Sequence, residues 1–230
     1  MIQLLSALAV LPLVHTAMAL EFVDDVRIEL GSYATSNYKD HRDYSAGSDS
    51  GLITTGSTDS SHDPSYDRIS FDVTYIYGHL RKIGGLLLSA SVGINDSYTD
   101  ERDNVTGRTF DLESTISELR LGAGYGLPIG NWSFIEVMGE LGGGYMQSDG
   151  LDRSATYGWD EVRTATGWEG SFGGHLGWSM VIVHHLIVGV QAGISRHAAN
   201  LHDDFDTGAS YDEKYRETIY DFRLAAGYRF

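Results

Sequence analysis

The sequence predicts an all-β fold: an eight-stranded antiparallel up-and-down transmembrane β-barrel with short turns on one side and four long loops on the other. Three observations predict it. Apolar residues alternate with other residues along eight stretches of the chain. The links between these stretches are alternately short and long. The two faces of the stretches also carry side chains that suit lipid outside and a crowded, charged interior.

The N-terminal residues predict export. An apolar run from Ile2 to Val14 is too short for a membrane-spanning helix, which needs about 20 apolar residues. It leads to Ala17-Met18-Ala19, a small-x-small cleavage pattern, and then to the polar switch EFVDD. We therefore expect residues 1–19 to be a secretory signal peptide and residues 20–230 to form one barrel domain. The alternative is an N-terminal apolar strand or anchor.

Composition limits the partners and the chemistry. Sixteen Lys and Arg against 32 Asp and Glu give a formal net charge of −16, so nucleic acid is not an expected partner. The chain has no Cys, which excludes disulfides, thiolate zinc sites and a cysteine nucleophile. We expect no cofactor.

Each predicted strand has one large apolar face and one face of charged, polar or small residues. In the second stretch, for example, Ile69, Phe71 and Val73 alternate with Ser70 and Asp72. The eight stretches cover about 23–37, 66–80, 84–97, 110–127, 132–147, 162–182, 185–197 and 215–230.

The links alternate in length, which is typical of an up-and-down barrel with unequal rims. The sequences RKIG, PIGN and VHH form tight hairpin links. The other four links are long and polar, and cover about 38–65, 98–109, 148–161 and 198–214. An even number of strands places both termini on the short-turn side. A ten-stranded barrel would need a further hairpin within 38–65, which shows no alternation.

The bulk of the apolar face indicates that it lies outside. An eight-stranded barrel has room inside for little more than its own side chains. Trp168 and Trp178 share one face, ten residues apart. At about 3.3 Å per residue and a tilt of about 40°, they are separated by roughly 25 Å along the membrane normal, the height of an apolar band between aromatic girdles. The predicted girdle is Trp132, Trp168 and Trp178.

The opposite face predicts a lumen lined by charged groups. Five arginines, Arg27, Arg68, Arg120, Arg223 and Arg229, nearly balance the carboxylates there, so we expect ion pairs, as burial requires. The predicted lumen network consists of Arg27, Glu29, Asp72, Glu118, Arg120, Glu136, Glu140, Glu169, His175, Asp221 and Arg223.

The C-terminal stretch DFRLAAGYRF ends in an alternating series: Phe222, Leu224, Ala226, Tyr228 and Phe230. This series resembles the C-terminal signature of bacterial outer-membrane barrels. With the signal peptide and four hairpins, the chain is similar to the small OmpA/OmpX/opacity-like eight-stranded group. The resemblance implies surrounding outer-membrane lipid, recognition of the last strand by the barrel assembly machinery, extracellular loops, and periplasmic turns and termini.

The long loops carry much of the negative charge. Loop one holds Asp40, Asp43, Asp49, Asp59 and Asp63 in Gly- and Ser-rich sequence. Calcium would suit such oxygens, but DDFDTG lacks the ligand spacing of an EF-hand. We interpret the loops as a solvated acidic rim and expect no metal site.

Two groups of histidines could have either a catalytic or a structural role. RHAAN (196–200) is similar to the His-x-Ser-Asn stretch of outer-membrane lipid A deacylases, with His197 and Asn200 at matching positions. Ala199 replaces the hydroxyl nucleophile, so we expect a lumen or rim histidine and no enzyme. His175 is expected in a hydrogen-bond network with Glu169 and Ser171. His184 and His185 are interpreted as turn residues.

The function predicted is that of a non-enzymatic outer-membrane surface protein whose barrel anchors acidic loops for adhesion or envelope interaction. A host or matrix ligand would bind at the loops. The alternatives are a narrow channel, which needs a continuous water path, and a lipid A-modifying barrel enzyme. Fold alone does not choose among them.

Overall fold

The computed structural model describes residues 22–47, 53–62, 67–80, 83–103, 108–154, 159–183, 185–205 and 210–230. The predicted signal peptide, residues 1–19, lies outside these ranges, as do Asp49, Asp63 and His184. Among the described residues, no helix has the length and apolar character needed to span a membrane.

All regular structure in the described ranges is β-strand. Alternating side chains and turn residues with the required conformations, such as Gly84 (φ 102°) and Gly130 (φ 68°), build consecutive hairpins. The strands are β1 (Phe22–Gly47), β2 (Ile53–His62), β3 (Asp67–His79), β4 (Gly85–Asp103), β5 (Arg108–Ile129), β6 (Ser133–Ser154), β7 (Trp159–Val183), β8 (Leu186–Phe205) and β9 (Ser210–Arg229).

The strands close into a ring of eight positions, which confirms the predicted fold class. Every neighbouring pair is antiparallel, and β1 pairs with β9 to complete the ring. The strands β2 and β3 occupy one position, because β2 pairs with residues 38–47 of β1 and β3 pairs with residues 22–33. Closure extends to the last residue, since the Phe230 amide donates to the Asp24 carbonyl oxygen at 2.9 Å.

The stagger of the ring gives its tilt. From Asp25, register partners lead through β3 to β9 and return to β1 at Thr35, ten residues further along. With about 3.3 Å per residue and about 4.7 Å between strands, this stagger corresponds to a tilt of about 41°. The value lies in the range of transmembrane barrels.

The paired strands continue well into the four long links, further than the sequence predicted. A membrane-spanning strand needs about 9–11 residues, whereas β7 has 25 and β6 has 22. The hairpins continue to pairs such as Asp103↔Arg108 and Ser154↔Trp159. The register line of Trp168 is the row of residues that pair with it across neighbouring strands, such as Tyr145 and Asn200. We call the strand ends on the side of this line away from the short turns the extension. On β7 it rises roughly 20 Å above Trp168 at the tilt given above.

Among the described residues, the wall of the extension is interrupted between β2 and β4. The pairing of β3 with β4 ends at Asp67↔Tyr98, while β4 continues to Asp103 beside β5. In the described part of the chain, β2 pairs with β1 alone. The ring is therefore closed through the apolar band, and its extension has a seam between β2 and the end of β4.

The two faces of the ring are the reverse of those in a soluble barrel. Large apolar side chains are exposed on the outside of the ring, for instance Leu141 at 70% and Val92 at 62%. Their neighbours in sequence face inward and are buried, including Glu136, Arg120 and Ser91. A closed ring satisfies its backbone groups without water, so this surface suits lipid.

Cysteine pairs test the closing register, because the chain has no Cys of its own. Ile28 and Ala226 are exposed register partners on β1 and β9, so I28C/A226C should form a disulfide under mild oxidation. I28C/F222C is four residues out of register and should stay reduced. The chain is cut by a protease between the two cysteines, and gel mobility shows whether a disulfide still joins the two fragments. Equal cross-linking of both pairs would contradict the register.

Candidate functional site

The lumen collects the charged residues singled out from the sequence. All the predicted network residues point inward; Glu140 is half-buried and the others are buried. They come from β1, β3, β5, β6, β7 and β9, so charged groups meet both across the lumen and along single strands. The site is thus a layer of ion pairs enclosed by the wall.

The lower part of this layer is centred on Arg27. Its Nη1 lies 2.8 Å from Glu136 Oε1, and its Nη2 lies 3.2 Å from Asp25 Oδ2. The strands β1 and β6 are four positions apart, so the Arg27–Glu136 pair spans the lumen. Arg229, next to the C-terminus, binds Asp25 at 2.7 Å. The first strand, the last strand and the opposite wall are therefore joined by one set of buried ion pairs.

The middle of the layer extends these contacts. The Gln191 side-chain amide donates to Glu29 at 3.0 Å and to Glu136 at 3.3 Å. Arg223 lies 3.6 Å from Glu29 and 3.1 Å from Asp221. Gln191 was not among the predicted residues, although its alternation placed it on the inner face. It links the lower ion pairs to the middle ones.

A second group lies on the β3–β5 side. Arg120 Nη2 is 2.5 Å from Asp72 Oδ1, and its Nε is 3.9 Å from Glu118. His175 is 3.4 Å from Glu140 and 4.0 Å from Glu136. The predicted neighbours of His175 were Glu169 and Ser171, so this part of the prediction was wrong. The stagger of the ring brings His175 level with Glu140 instead.

The expected near-balance of charge in the lumen was also wrong. Asp25 and Glu217 are buried as well, and neither was predicted. The Arg68 side chain lies outside the described residues. The described inward-facing residues thus include four arginines (Arg27, Arg120, Arg223 and Arg229) and nine carboxylates (Asp25, Glu29, Asp72, Glu118, Glu136, Glu140, Glu169, Glu217 and Asp221). The lumen is acidic.

Glycines make room for these pairs. A Cβ on Gly177 would come within 2.7 Å of Glu136 Oε1, and one on Gly193 within 2.6 Å of Asp221 Oδ2. Both distances are shorter than van der Waals contact. The inner wall therefore has glycine where a charged side chain from the next strand lies against the backbone.

Two apolar layers lie below and above the charged layer, and neither was predicted from the sequence. Their members lie on the predicted charged face, where the alternation drew attention to the polar residues. The lower layer consists of Val23, Ile76, Leu80, Leu87, Phe134, Met138 and Ile187. The upper layer consists of Ile116, Met146, Ala165, Ala199 and Leu201.

Phe134 joins the lower apolar layer to the charges above it. It is fully buried, and the guanidinium carbons of Arg27 and Arg229 each lie 5.6 Å from its ring centroid. This distance is in the range of cation–π contact.

Within the charged layer, a cavity of about 10 Å³ between Arg120, Ser195 and Asp221 holds at most one water. This cavity is therefore too small to hold a column of water.

His197 lies in the upper part of the charged layer. Its Nδ1 contacts Glu169, and its Nε2 lies 2.8 Å from Ser195 Oγ. The order of groups matches a Ser-His-acid relay. However, the adjacent cavity has no room for a substrate, and the upper apolar layer lies above it. The arrangement is a buried hydrogen-bond network.

The deacylase-like stretch does not form one surface. His197 and Ala199 are buried inside the ring, whereas Asn200 is exposed on the outside. Residues that alternate along a strand cannot converge on one reacting atom when an odd spacing separates them. In the described part of the chain, no group of three or more His, Asp and Glu side chains is arranged to hold a metal ion.

The outer surface carries the predicted tryptophans. Trp168 and Trp178 are 73% and 39% exposed on the outer face of β7, and Trp132 is exposed in the β5–β6 turn. Tyr145 packs edge-to-face on Trp168 with ring centroids 5.5 Å apart. These aromatics lie near the two ends of the apolar band.

The five residues of the C-terminal signature (Phe222, Leu224, Ala226, Tyr228 and Phe230) are all exposed on the outer face of the last strand. His185 stacks on Tyr228 at 5.1 Å, and Tyr228 meets Phe230 edge-to-face at 5.2 Å. The Arg229 amide donates to the His185 carbonyl oxygen at 2.7 Å. The β7–β8 turn therefore holds the chain end in place.

The extension is the acidic part of the candidate site. Its exposed carboxylates include Asp96, Glu113, Asp149 and Asp212. The side chains of Asp40, Asp43 and Asp59 lie outside the described residues. Asp149 accepts hydrogen bonds from Gln147 at 3.1 Å and Thr164 at 3.0 Å. These carboxylates are carried by paired strands, so they have fixed positions.

Several solved outer-membrane barrels resemble the chain. OprG of Pseudomonas aeruginosa matches with 14% identity over 90% of this chain and 97% of its own, at a TM-score of 0.45. The attachment invasion locus protein Ail of Yersinia pestis, in complex with a heparin analogue, matches with 16% identity over 90% and 99%, at 0.32. Neisserial surface protein A matches with 14% identity over 89% and 97%, at 0.31.

No protein-family model and no curated protein matches the chain. The fold rests on the closed ring of eight positions, the tilt and the apolar exterior given above. On those features, the chain has the architecture of the small bacterial outer-membrane β-barrels.

Removing one member of the central ion pair should destabilise the barrel. Arg27→Met leaves Glu136 buried without its arginine partner, whereas Asp25 keeps Arg229, and we expect a loss of about 3–5 kcal/mol in the free energy of unfolding. Urea unfolding from lipid vesicles measures it. The double variant R27M/E136M should lose less than the two single losses added together.

The matched control is Arg196→Met, which replaces an exposed arginine on the outer face. Its cost should stay below about 1 kcal/mol. Equal costs for Arg27→Met and Arg196→Met would contradict a structural role for the lumen pair.

Proposed function

We propose that the chain is a non-enzymatic surface protein of the bacterial outer membrane, and that its barrel holds a rigid acidic extension outside the cell for adhesion or envelope contact. The observation that carries this proposal is the length of the strands. β5, β6 and β7 have 22 to 25 residues, about twice what a membrane crossing requires. The additional residues of each hairpin form an ordered wall.

The sealed lumen supports the same proposal. A channel function requires water to cross the barrel, but the ion pairs of the charged layer lie between two apolar layers. An enzyme requires space for a substrate beside its reactive groups, and the cavity next to Ser195 and His197 is about 10 Å³. Contacts with partners are therefore left to the extension and the outer wall.

The chemistry of the extension favours a basic partner. The chain has a net charge of −16, and the exposed extension carboxylates lie on paired strands. Fixed charges of one sign attract segments of the opposite sign and lose their effect as salt increases. We propose basic segments of host, matrix or neighbouring envelope proteins as the ligands. Outer-membrane lipid and the barrel assembly machinery are proposed as partners of the wall and of the C-terminal strand.

Trimming the extension tests the proposal. Removing residues 38–66, 99–112, 150–163 and 203–211, each replaced by Asn-Gly, shortens the hairpins, and the last three cuts lie at register pairs such as Tyr98↔Glu113 and Asp149↔Thr164. Cells that display the intact barrel should bind matrix or host cells, and cells with the trimmed barrel should not. Heat-modifiable gel mobility checks that both forms insert.

A second variant separates charge from shape. D96N/E113Q/D149N/D212N keeps the full length and neutralises four exposed carboxylates. Adhesion should fall several-fold, and its salt dependence should weaken. If the intact and trimmed barrels both insert and bind equally, the proposed function is wrong.

A further inference from the structure

The outer face of β8 and β9 carries three exposed cations, Arg196, Lys214 and Arg216, which we call the basic patch. None of them forms an ion pair with a carboxylate among the residues that the structure describes. This is unusual for a chain with 32 acidic residues and only 16 Lys and Arg. The nearest outward-facing carboxylate on these strands, Asp212, binds His202 at 2.9 Å instead.

The register places the three cations close together. Arg196 pairs with Thr218, two residues from Arg216 on the same face of β9, and Lys214 follows two residues further on. Diagonal neighbours across antiparallel strands lie about 7–8 Å apart, as do alternate residues along one strand. One anionic group could therefore contact Arg216 together with either of the other two cations.

The patch spans the upper end of the apolar band, since Arg196 pairs with Phe172, four residues from Trp168 on the side of the short turns. Trp168 pairs with Asn200, and Asn200 pairs with Lys214, so Lys214 lies on the register line of the upper tryptophan. On the side of the short turns, exposed Tyr220 and Phe222 continue the outer face of β9. Cations at this boundary extend their charged ends to the level of lipid headgroups while their aliphatic stems cover apolar surface.

Among the side chains that the structure describes, the exposed Lys and Arg residues all lie on β8 and β9. At the corresponding level on β4, β5 and β6, the exposed charged residues are Asp96, Glu113 and Asp149. If cations were simply common at the membrane boundary, they would also be exposed on β4, β5 and β6. The exposed charged residues described there are acidic instead. A ligand that binds β8 and β9 in preference to the other strands explains this difference.

We propose that the basic patch binds the phosphate groups of a phosphorylated outer-leaflet lipid, the lipid A headgroup. Guanidinium groups pair with phosphate through two parallel hydrogen bonds, and an ammonium group adds a point charge. The site requires no cavity, since the lipid's acyl chains lie along the apolar surface below. This inference rests on the proposed orientation, with the extension outside the cell.

The test measures lipid retention by the full mature barrel in detergent with native mass spectrometry. The probes are bisphosphorylated lipid A, the same lipid with both phosphates removed, and inorganic pyrophosphate as competitor. We expect the barrel to prefer the phosphorylated lipid, and R196Q/K214Q/R216Q to bind it about tenfold or more weakly, because three headgroup-level cations are lost.

The matched control, T115E/S117E/Q147E, changes the net charge by the same amount at a similar height on β5 and β6. It should retain lipid A as the unmodified barrel does, and heat-modifiable mobility checks the folding of both variants. Equal retention of the phosphorylated and dephosphorylated lipid, or an equal loss in both variants, would overturn the proposal. Full displacement by pyrophosphate would also overturn it, since the site would then bind small anions.

Failure of this inference can be distinguished from failure of the proposed function. The trimmed barrel described above keeps Arg196, Lys214 and Arg216, so it should retain lipid A whether or not the extension mediates adhesion. Loss of lipid binding on trimming alone would place the lipid contacts in the extension and contradict the basic patch.

Discussion

The buried ion pair between Arg27 and Glu136 connects opposite sides of the barrel at 2.8 Å, and the rest of the lumen is arranged around it. Lipid outside the ring cannot solvate a charge, so the inner charged groups are held by ion pairs and hydrogen bonds within the lumen. Arg229 continues the set of ion pairs to the chain end, and glycines such as Gly177 leave space for the carboxylates. The stagger of ten residues is what brings these groups to one level.

The packing of these charged groups inside the ring also limits which parts of the molecule can contact other molecules. Apolar layers around Phe134 and Met146 enclose the charged layer, so the interior is a packed core although it is polar. The Ser195–His197–Glu169 relay illustrates this point: its groups are ordered as in a hydrolase, yet the cavity beside them is only about 10 Å³. Interactions with other molecules are therefore assigned to the extension and to the outer wall, including the basic patch.

The alternation of residues predicted the fold class and the direction of most side chains, because one face of each crossing is apolar and a shift of one residue would reverse it. The strand ends were missed where both faces are polar, as along residues 38–47, since period-two alternation then carries no signal. Partners such as Arg27 and Glu136 lie 109 residues apart, and their meeting depends on the summed register of the ring. The inner apolar residues Ile76 and Ile187 were missed because they interrupt a face dominated by polar residues.

Cysteine accessibility at two adjacent positions tests the sealed, inverted barrel most directly. Ser91 faces the lumen and is 4% exposed, while Val92 faces outward and is 62% exposed, and the chain has no other Cys. In lipid vesicles, neither Ser91→Cys nor Val92→Cys should react with a water-soluble methanethiosulfonate. A lipid-soluble maleimide should label Val92→Cys alone. Rapid reaction of Ser91→Cys with the water-soluble reagent would show an open lumen and contradict the account.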